Sequence, residues 1–168
     1  MSLEFRPARA DDLILLHPLI ERAYRGDTAR QGWTHEADLL SDSRTDRATL
    51  EAILRDPAQV LLMALENEAP VGCVNIADRG DRLAYLGLLC IEPLRQAEGF
   101  GRQLIAAGED HARNVFGCTT IEMTVIEQRR ELIAYYQRRG WQITGERRDF
   151  PISLDPPYFM TVLAKPLG

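Results

Sequence analysis

The stretch from Leu83 to Val115 constrains the fold more than any other part of the chain. A nearly all-apolar run, Leu83 to Ile91, stops at Glu92-Pro93 and leads through Gly99-Phe100-Gly101 into an amphipathic segment. That segment carries Leu104, Ile105, Gly108 and Ala112 along one face. The first pattern is that of a strand buried on both sides, and the second that of a helix packed by one stripe. A buried strand delivered straight into a helix commits the chain to a sheet with helices laid on it.

The flanking segments extend this reading. Leu3 to Pro7 is a short strand, and Asp11 or Asp12 caps a helix with Leu13, Leu16, Ile20 and Tyr24 on its face. Arg25 to Thr45 is irregular, and Asp46 opens a second helix closed by Asp56-Pro57. Val60 to Glu66 and Val71 to Ala77 are strands joined through Asn67-Glu68-Ala69-Pro70, a hairpin by composition. Cys118 to Ile126 alternates through Ile121, Met123 and Val125 as a strand, and a helix from Arg130 to Arg139 ends at Gly140. Gln142 to Gly145 and Tyr158 to Ala164 are the last strands, separated by the proline-rich turn Pro151 to Pro157. The order β-α-α-β-β-β-α-β-α-β-β describes a mixed sheet of the α/β (α+β) class, expected as a single domain over residues 1–168 with no repeat and no linker.

Charge and cysteine usage restrict the partners. Twenty basic against twenty-five acidic residues give a net charge of −5, so a nucleic-acid partner is not expected, because phosphate backbones need a basic face. No apolar run approaches the ~20 residues of a membrane span, and no signal-peptide core interrupts the charged N-terminus, so neither membrane nor export is expected. Lys165 is the only lysine, and base composition explains that arginine bias more cheaply than carboxylate recognition does. Cys73, Cys90 and Cys118 have no Cys-x-x-Cys or Cys/His spacing, which reads as reduced core thiols in a cytoplasmic protein without a metal site.

The chemistry concentrates between Cys90 and Arg102. Glycines at a helix start let backbone N–H groups converge and a ligand approach, and unpaired amides with the positive dipole end seat phosphate oxygens. Alone, the Gly-x-Gly is equally a tight turn. A dinucleotide fingerprint fails, because Leu104 stands where a third small residue is needed, and no Gly-Lys-Ser/Thr exists for a Walker A loop.

Gln96-Ala97-Glu98-Gly99-Phe100-Gly101 resembles the Q/R-x-x-G-x-G/A acetyl-CoA loop of the GNAT superfamily of N-acetyltransferases. Ala134-Tyr135-Tyr136-Gln137-Arg138-Arg139-Gly140-Trp141 resembles that superfamily's L-Y-x-x-x-G-F segment at the end of the next helix, and the element order agrees over nearly the whole chain. The resemblance implies a mixed sheet of about six to seven strands flanked by four helices, with the fourth and fifth strands splayed. It places the backbone of Leu89, Cys90 and Ile91 on the pantetheine arm. It places the amides of Gln96, Ala97, Glu98, Gly99, Phe100, Gly101 and Arg102 around the pyrophosphate, and Tyr136 beside the leaving thiolate. The implied reaction is attack of an amine on the acetyl-CoA thioester, with a strand amide polarising the carbonyl.

The chain departs from the family pattern in three places. Arg129 stands where an asparagine often contacts the cofactor, reaching a phosphate or simply solvated. Glu98 puts a carboxylate in the phosphate loop, tolerable with its side chain turned to water, and Tyr85 stands where some members carry a glutamate base. The base is thus unassigned. Trp33 and His35, in the irregular region, and Tyr85 are the candidate acceptor-side residues, while the other histidines and the arginine pairs read as helix surfaces and solvated faces. The resemblance implies a small-molecule or peptide amine acceptor, with metabolite amine, antibiotic, peptide N-terminus and protein lysine all open; the arginines and aromatics of Arg25–Thr45 and Arg147–Pro157 point toward one bearing a carboxylate. The last strand, if exposed, offers an edge for a homodimer. Two alternatives remain open: a catalytically silent acetyl-CoA sensor of the same fold, and a nucleotide-binding protein of another fold.

Overall fold

The computed structural model describes residues 3–24, 45–96, 98–150 and 157–168. Its elements in chain order are β1 (Glu4–Pro7), α1 (Leu13–Tyr24), α2 (Arg47–Arg55), β2 (Gln59–Glu66), β3 (Ala69–Asp78), β4 (Leu83–Ile91), α3 (Phe100–Asn114), β5 (Thr120–Ile126), α4 (Arg130–Arg138), β6 (Gln142–Asp149) and β7 (Phe159–Pro166). Short 3₁₀ turns at Ala10–Asp12 and Pro93–Arg95 precede α1 and α3.

Local chemistry sets several boundaries. Asp46 caps α2 by accepting from the Thr49 N–H at 2.7 Å, and that bond, first among its causes, holds the Asp46 carboxyl below its usual range. Asn67 and Glu68 form the β2–β3 turn with φ of 52° and 69°, the left-handed pair that matches strand twist in a two-residue hairpin. Gly140 stops α4 at φ 98°.

All seven strands join one sheet in the order β1-β2-β3-β4-β5-β7-β6. Every neighbouring pair is antiparallel except β4–β5. That pair is parallel because α3 carries the chain back across the sheet between them. The last strand is not an edge: β7 lies between β5 and β6, so the sheet's edges are β1 and β6. β6 also runs to Asp149, past Gly145, whose φ of 90° sits in the register break between Ile143 and Arg147. The expected pairing edge on the last strand is therefore absent, and the edge on that side is β6, exposed along nearly its whole length.

The sheet is sandwiched by two cores. Val74, Ile76, Ala84, Leu86, Leu104 and Ile121 pack on the α3–α4 side. Leu16, Ile20, Leu50, Met63, Cys73 and Cys90 pack on the α1–α2 side. β4 changes sides between them. Asn75 pairs with Gly87 and Cys73 with Cys90, so two residues of β4 oppose one of β3. In this bulge Leu88 adopts φ 48°, and the alternation shifts: Ala84 and Leu86 face α3, whereas Leu88 and Cys90 face α1.

Beside this bulge, β3 and β4 leave no room for a side chain at Gly72. A Cβ on Gly72 would lie 2.6 Å from the Cys90 carbonyl oxygen and 2.7 Å from Ile91 Cδ1. Gly72→Ala must push backbone against backbone. The expected cost is ~1–3 kcal/mol, the range for overpacking, lowering Tm by several degrees at ~2–4 °C per kcal/mol for this size. Calorimetry of the variant checks it; an unchanged Tm would show that the two strands are not held this tightly.

Candidate active site

β4 and β5 pair over only three positions, Leu83↔Thr120, Ala84↔Ile121 and Tyr85↔Glu122. Beyond them β5 stays with β7 as far as Ile126, while β4 stays with β3 as far as Ile91. The strands fork, and a cleft of about 500 Å³ opens between them. The Tyr85 hydroxyl spans the crotch of the fork to the Thr124 hydroxyl at 2.6 Å, and the Arg79 guanidinium lies over the Tyr85 ring at 4.6 Å. Past Tyr85, the β5-facing edge of β4 has no strand partner among the described residues.

The cleft has four walls: Leu86 to Ile91 of β4, Phe100 to Arg102 with Ile105 at the start of α3, Met123 to Ile126 of β5, and Leu132, Tyr135, Tyr136 and Arg139 of α4. The far end closes on the α3 N-terminus. Gly99 is its cap, at φ 84° and without a side-chain cap bond, so the first-turn N–H groups are the donors a helix leaves unpaired. These donors and the positive end of the helix dipole face the open strand edge. A Cβ on Gly101 would come no closer than 3.9 Å to Ile91 Cγ1. The fold therefore leaves space at Gly101, and only a ligand would require glycine there.

The loop ahead of α3 is fixed by Arg95. Its guanidinium takes both oxygens of Glu66 at 2.8 and 2.9 Å and both of Glu98 at 2.8 and 3.1 Å, and stacks 5.0 Å from the Phe100 ring centroid. The Glu66 bonds hold the Arg95 guanidinium above its ordinary value and the Glu66 carboxyl below its own. Glu98 is thus exposed but not merely solvated: its carboxylate is tied to Arg95, and it is absent from the lining of the cleft. Gln96 donates to the Ile91 carbonyl at 3.4 Å.

Tyr136 enters from α4. Its ring is buried, edge-on to Tyr135 at 5.4 Å and to Trp141 at 6.3 Å. No hydrogen bond joins its hydroxyl to a described residue. Burial pushes that hydroxyl well above its ordinary pKa; Tyr135 adds to the effect and Arg129 opposes it. Tyr136 therefore carries its proton throughout the neutral range. Arg129 caps α4 and lines the cleft.

The structure brings together Tyr85, Leu89, Cys90, Ile91, Gln96, Gly99, Phe100, Gly101, Arg102, Arg129 and Tyr136 around this one cleft. Ala97, Trp33 and His35 lie outside the described residues. Two features escape sequence reasoning. The Tyr24 hydroxyl at the end of α1 donates to the Leu89 carbonyl, so one carbonyl of the open strand is already engaged; the sequence showed Tyr24 only as an apolar-face position. Glu122, buried beside Tyr85 on β5, is held by Arg148 at 2.6 Å; its only signal was a carboxylate inside an apolar strand. Nor are all the arginine pairs solvated faces, since Arg148 reaches Glu122 while Arg147 pairs with Glu127 at 2.7 Å and covers the Phe159 ring. Among the described residues no group of His, Cys, Asp and Glu side chains is placed to hold a metal, and no helix is long and apolar enough to cross a membrane.

The same architecture recurs in solved structures. A spermidine N-acetyltransferase SpeG chimera from Vibrio cholerae and hSSAT superposes with a TM-score of 0.75 at 17% identity, over 99% of this chain and 96% of that one. The ribosomal-protein-S18-alanine N-acetyltransferase of Escherichia coli gives 0.76 at 15%, over 99% and 95%. A GNAT-family acetyltransferase of Streptococcus pneumoniae gives 0.69 at 21%, over 99% and 100%. At these identities the likeness shows the fold. No curated protein sequence matches the chain. The family model described as "Acetyltransferase (GNAT) family" matches residues 20–141, more than half of the sequence, and the chain belongs to that acyltransferase family.

Proposed function

We propose that the protein transfers an acetyl group from acetyl-CoA to a primary amine by direct attack on the thioester. The observation that carries this reading is the unpaired edge of β4, running into the α3 N-terminus with Tyr136 on the opposite wall. An extended, amide-bearing arm ending in a pyrophosphate matches both halves of that wall: backbone groups on an open strand for the arm, convergent N–H groups for the phosphates.

Acetyl-CoA supplies an acetyl group already activated as a thioester. The β4 backbone between Leu86 and Ile91 orients that group and offers an amide to the carbonyl oxygen as negative charge develops there. The N–H groups from Gly99 to Arg102 hold the pyrophosphate, with Arg102, Arg129 and Arg139 along the same cleft supplying positive charge. Tyr136 offers its O–H as a hydrogen bond to the departing sulfur, the role its buried, protonated hydroxyl suits, while the proton that the attacking amine sheds passes to water. A thiol of pKa near ~8.5 leaves fairly well unaided, so this hydrogen bond accelerates the reaction without being indispensable to it.

The acceptor enters on the α1–α2 side, past Tyr85 and Thr124. The named structural neighbours act on spermidine and on a ribosomal protein, which supports a small amine or a protein amine here. The walls expected to choose between them, around Trp33 and His35 and in the β6–β7 turn, fall largely outside the described residues.

Acetyl-CoA at ~100 times its Kd should add about 2.7 kcal/mol, or several degrees of Tm. Gly99→Ala should abolish most of that shift, because it forces an L side chain into φ 84° at the phosphate seat. Absence of any shift with the wild-type protein at millimolar acetyl-CoA would overturn the reading. Tyr136→Phe should leave acetyl-CoA affinity nearly intact while lowering kcat toward ~10²-fold, the low end for general acid catalysis. Since burial raises the Tyr136 pKa above that of an ordinary tyrosine, wild-type turnover should show no alkaline decline from this group below about pH 10. A change confined to KM for acetyl-CoA would reduce the hydroxyl to a positioning role.

A further inference from the structure

Cys73 and Cys90 face each other across β3 and β4. They are register partners at the bulge, their sulfurs are 3.4 Å apart, and both are buried. Register partners in an antiparallel pair have Cα atoms ~4.5–5.5 Å apart, inside the ~4.4–6.8 Å that a disulfide spans. Of the two, only Cys90 lines the cleft, and both side chains pack in the α1–α2 core. The third thiol, Cys118, sits apart beside the Asp78 carboxylate at 3.9 Å.

We propose that Cys73 and Cys90 form an oxidative modification site, in which hydrogen peroxide arriving through the cleft converts the dithiol to a disulfide and thereby removes acetyl-CoA binding. The Cys90 sulfur attacks the peroxide, breaking its O–O bond; Cys90 becomes a sulfenic acid, and the thiol proton leaves with the departing oxygen as water. The Cys73 sulfur then attacks the Cys90 sulfur; the S–S bond forms, the S–O bond breaks, and the Cys73 proton departs in a second water. Two thiols are oxidised and one peroxide is reduced to two waters. The hydrogen bond to Cys90, and then burial, push the Cys73 thiol well above its ordinary pKa. Cys73 is therefore held as the thiol rather than the thiolate while Cys90 is reduced.

Closing the sulfurs from 3.4 Å to the ~2.05 Å of an S–S bond moves β4 where it has least slack. Its neighbours Leu89 and Ile91 are pinned through their carbonyls by Tyr24 and Gln96, and Leu88 is already at positive φ. The strand edge offered to acetyl-CoA shifts with it. This consequence rests on the proposed function, whereas formation of the bond does not.

The test treats the full chain with hydrogen peroxide, maps disulfides by peptide mass spectrometry, and measures the acetyl-CoA thermal shift before oxidation, after it, and after reduction with dithiothreitol. The expected result is a 73–90 linked peptide with two hydrogens fewer, an acetyl-CoA shift lost on oxidation and regained on reduction, and slower linkage when acetyl-CoA is present throughout. Cys73→Ala should keep its acetyl-CoA shift after peroxide; peptide mapping of the wild-type chain decides the linkage even if that variant fails to fold. Linkage through Cys118, oxidation without a 73–90 link, linkage unaffected by acetyl-CoA, or a linked protein that still binds acetyl-CoA would each overturn the proposal. A reduced protein with no acetyl-CoA shift would instead refute the proposed function, leaving the linkage to be judged by mass alone.

Discussion

The divergence of β4 from β5 after three paired positions is the constraint on which the rest depends. Backbone N–H and C=O groups withdrawn from water cost ~1–3 kcal/mol each when unpaired, so a sheet interior does not normally leave a strand edge open. Here the edge stays open because β4 is held elsewhere: by β3, packed against it at Gly72, by Glu92, whose N–H donates to the Val71 carbonyl at 2.8 Å, and by Tyr24 on the Leu89 carbonyl. β5 is held by β7. The Tyr85–Thr124 hydrogen bond braces the two strands at the point where they part. The cleft is therefore a product of competing strand pairings, and its unpaired groups are arranged in advance for a ligand that completes them.

Charge is managed locally in a protein whose net charge, −5, opposes a polyphosphate ligand. Glu66 and Glu98, beside the loop ahead of α3, are both bound by Arg95. Glu92, at the end of β4, is held by Arg22 at 2.7 Å, and Glu122, at the fork, by Arg148. Holding these four in ion pairs with Arg95, Arg22 and Arg148 offsets much of their charge and lets the backbone dipole of α3 and the arginines of the cleft shape the field that an anion meets. It also explains how a glutamate can stand inside the loop proposed to hold phosphate: the acid is bound by Arg95.

Much of this was legible in the sequence because it is encoded locally. The apolar run ending at Glu92-Pro93, the Gly-x-Gly and the stripe through Leu104 and Ala112 define the β4–α3 unit, and Tyr136 stands out through its spacing to Gly140 and Trp141. What was hidden depends on strand order. Insertion of β7 between β5 and β6 brings Arg148 to Glu122 and makes β6 the edge, and no short-range pattern reports such an insertion. The shift of side at Leu88 was equally silent, since an all-apolar strand reads the same whichever face each residue takes. Tyr24 shows the same limit at one residue: its helical position was readable, its contact with Leu89 was not.

Amide hydrogen exchange with and without acetyl-CoA tests the central claim, that the open β4 edge and the α3 N-terminus together form the cofactor seat. The account predicts that acetyl-CoA slows exchange within residues 86–91 and 98–102, with β1, β2 and β6 unchanged. Protection confined to other segments, or a bound state in which the β4 amides exchange as fast as in the free protein, would contradict it.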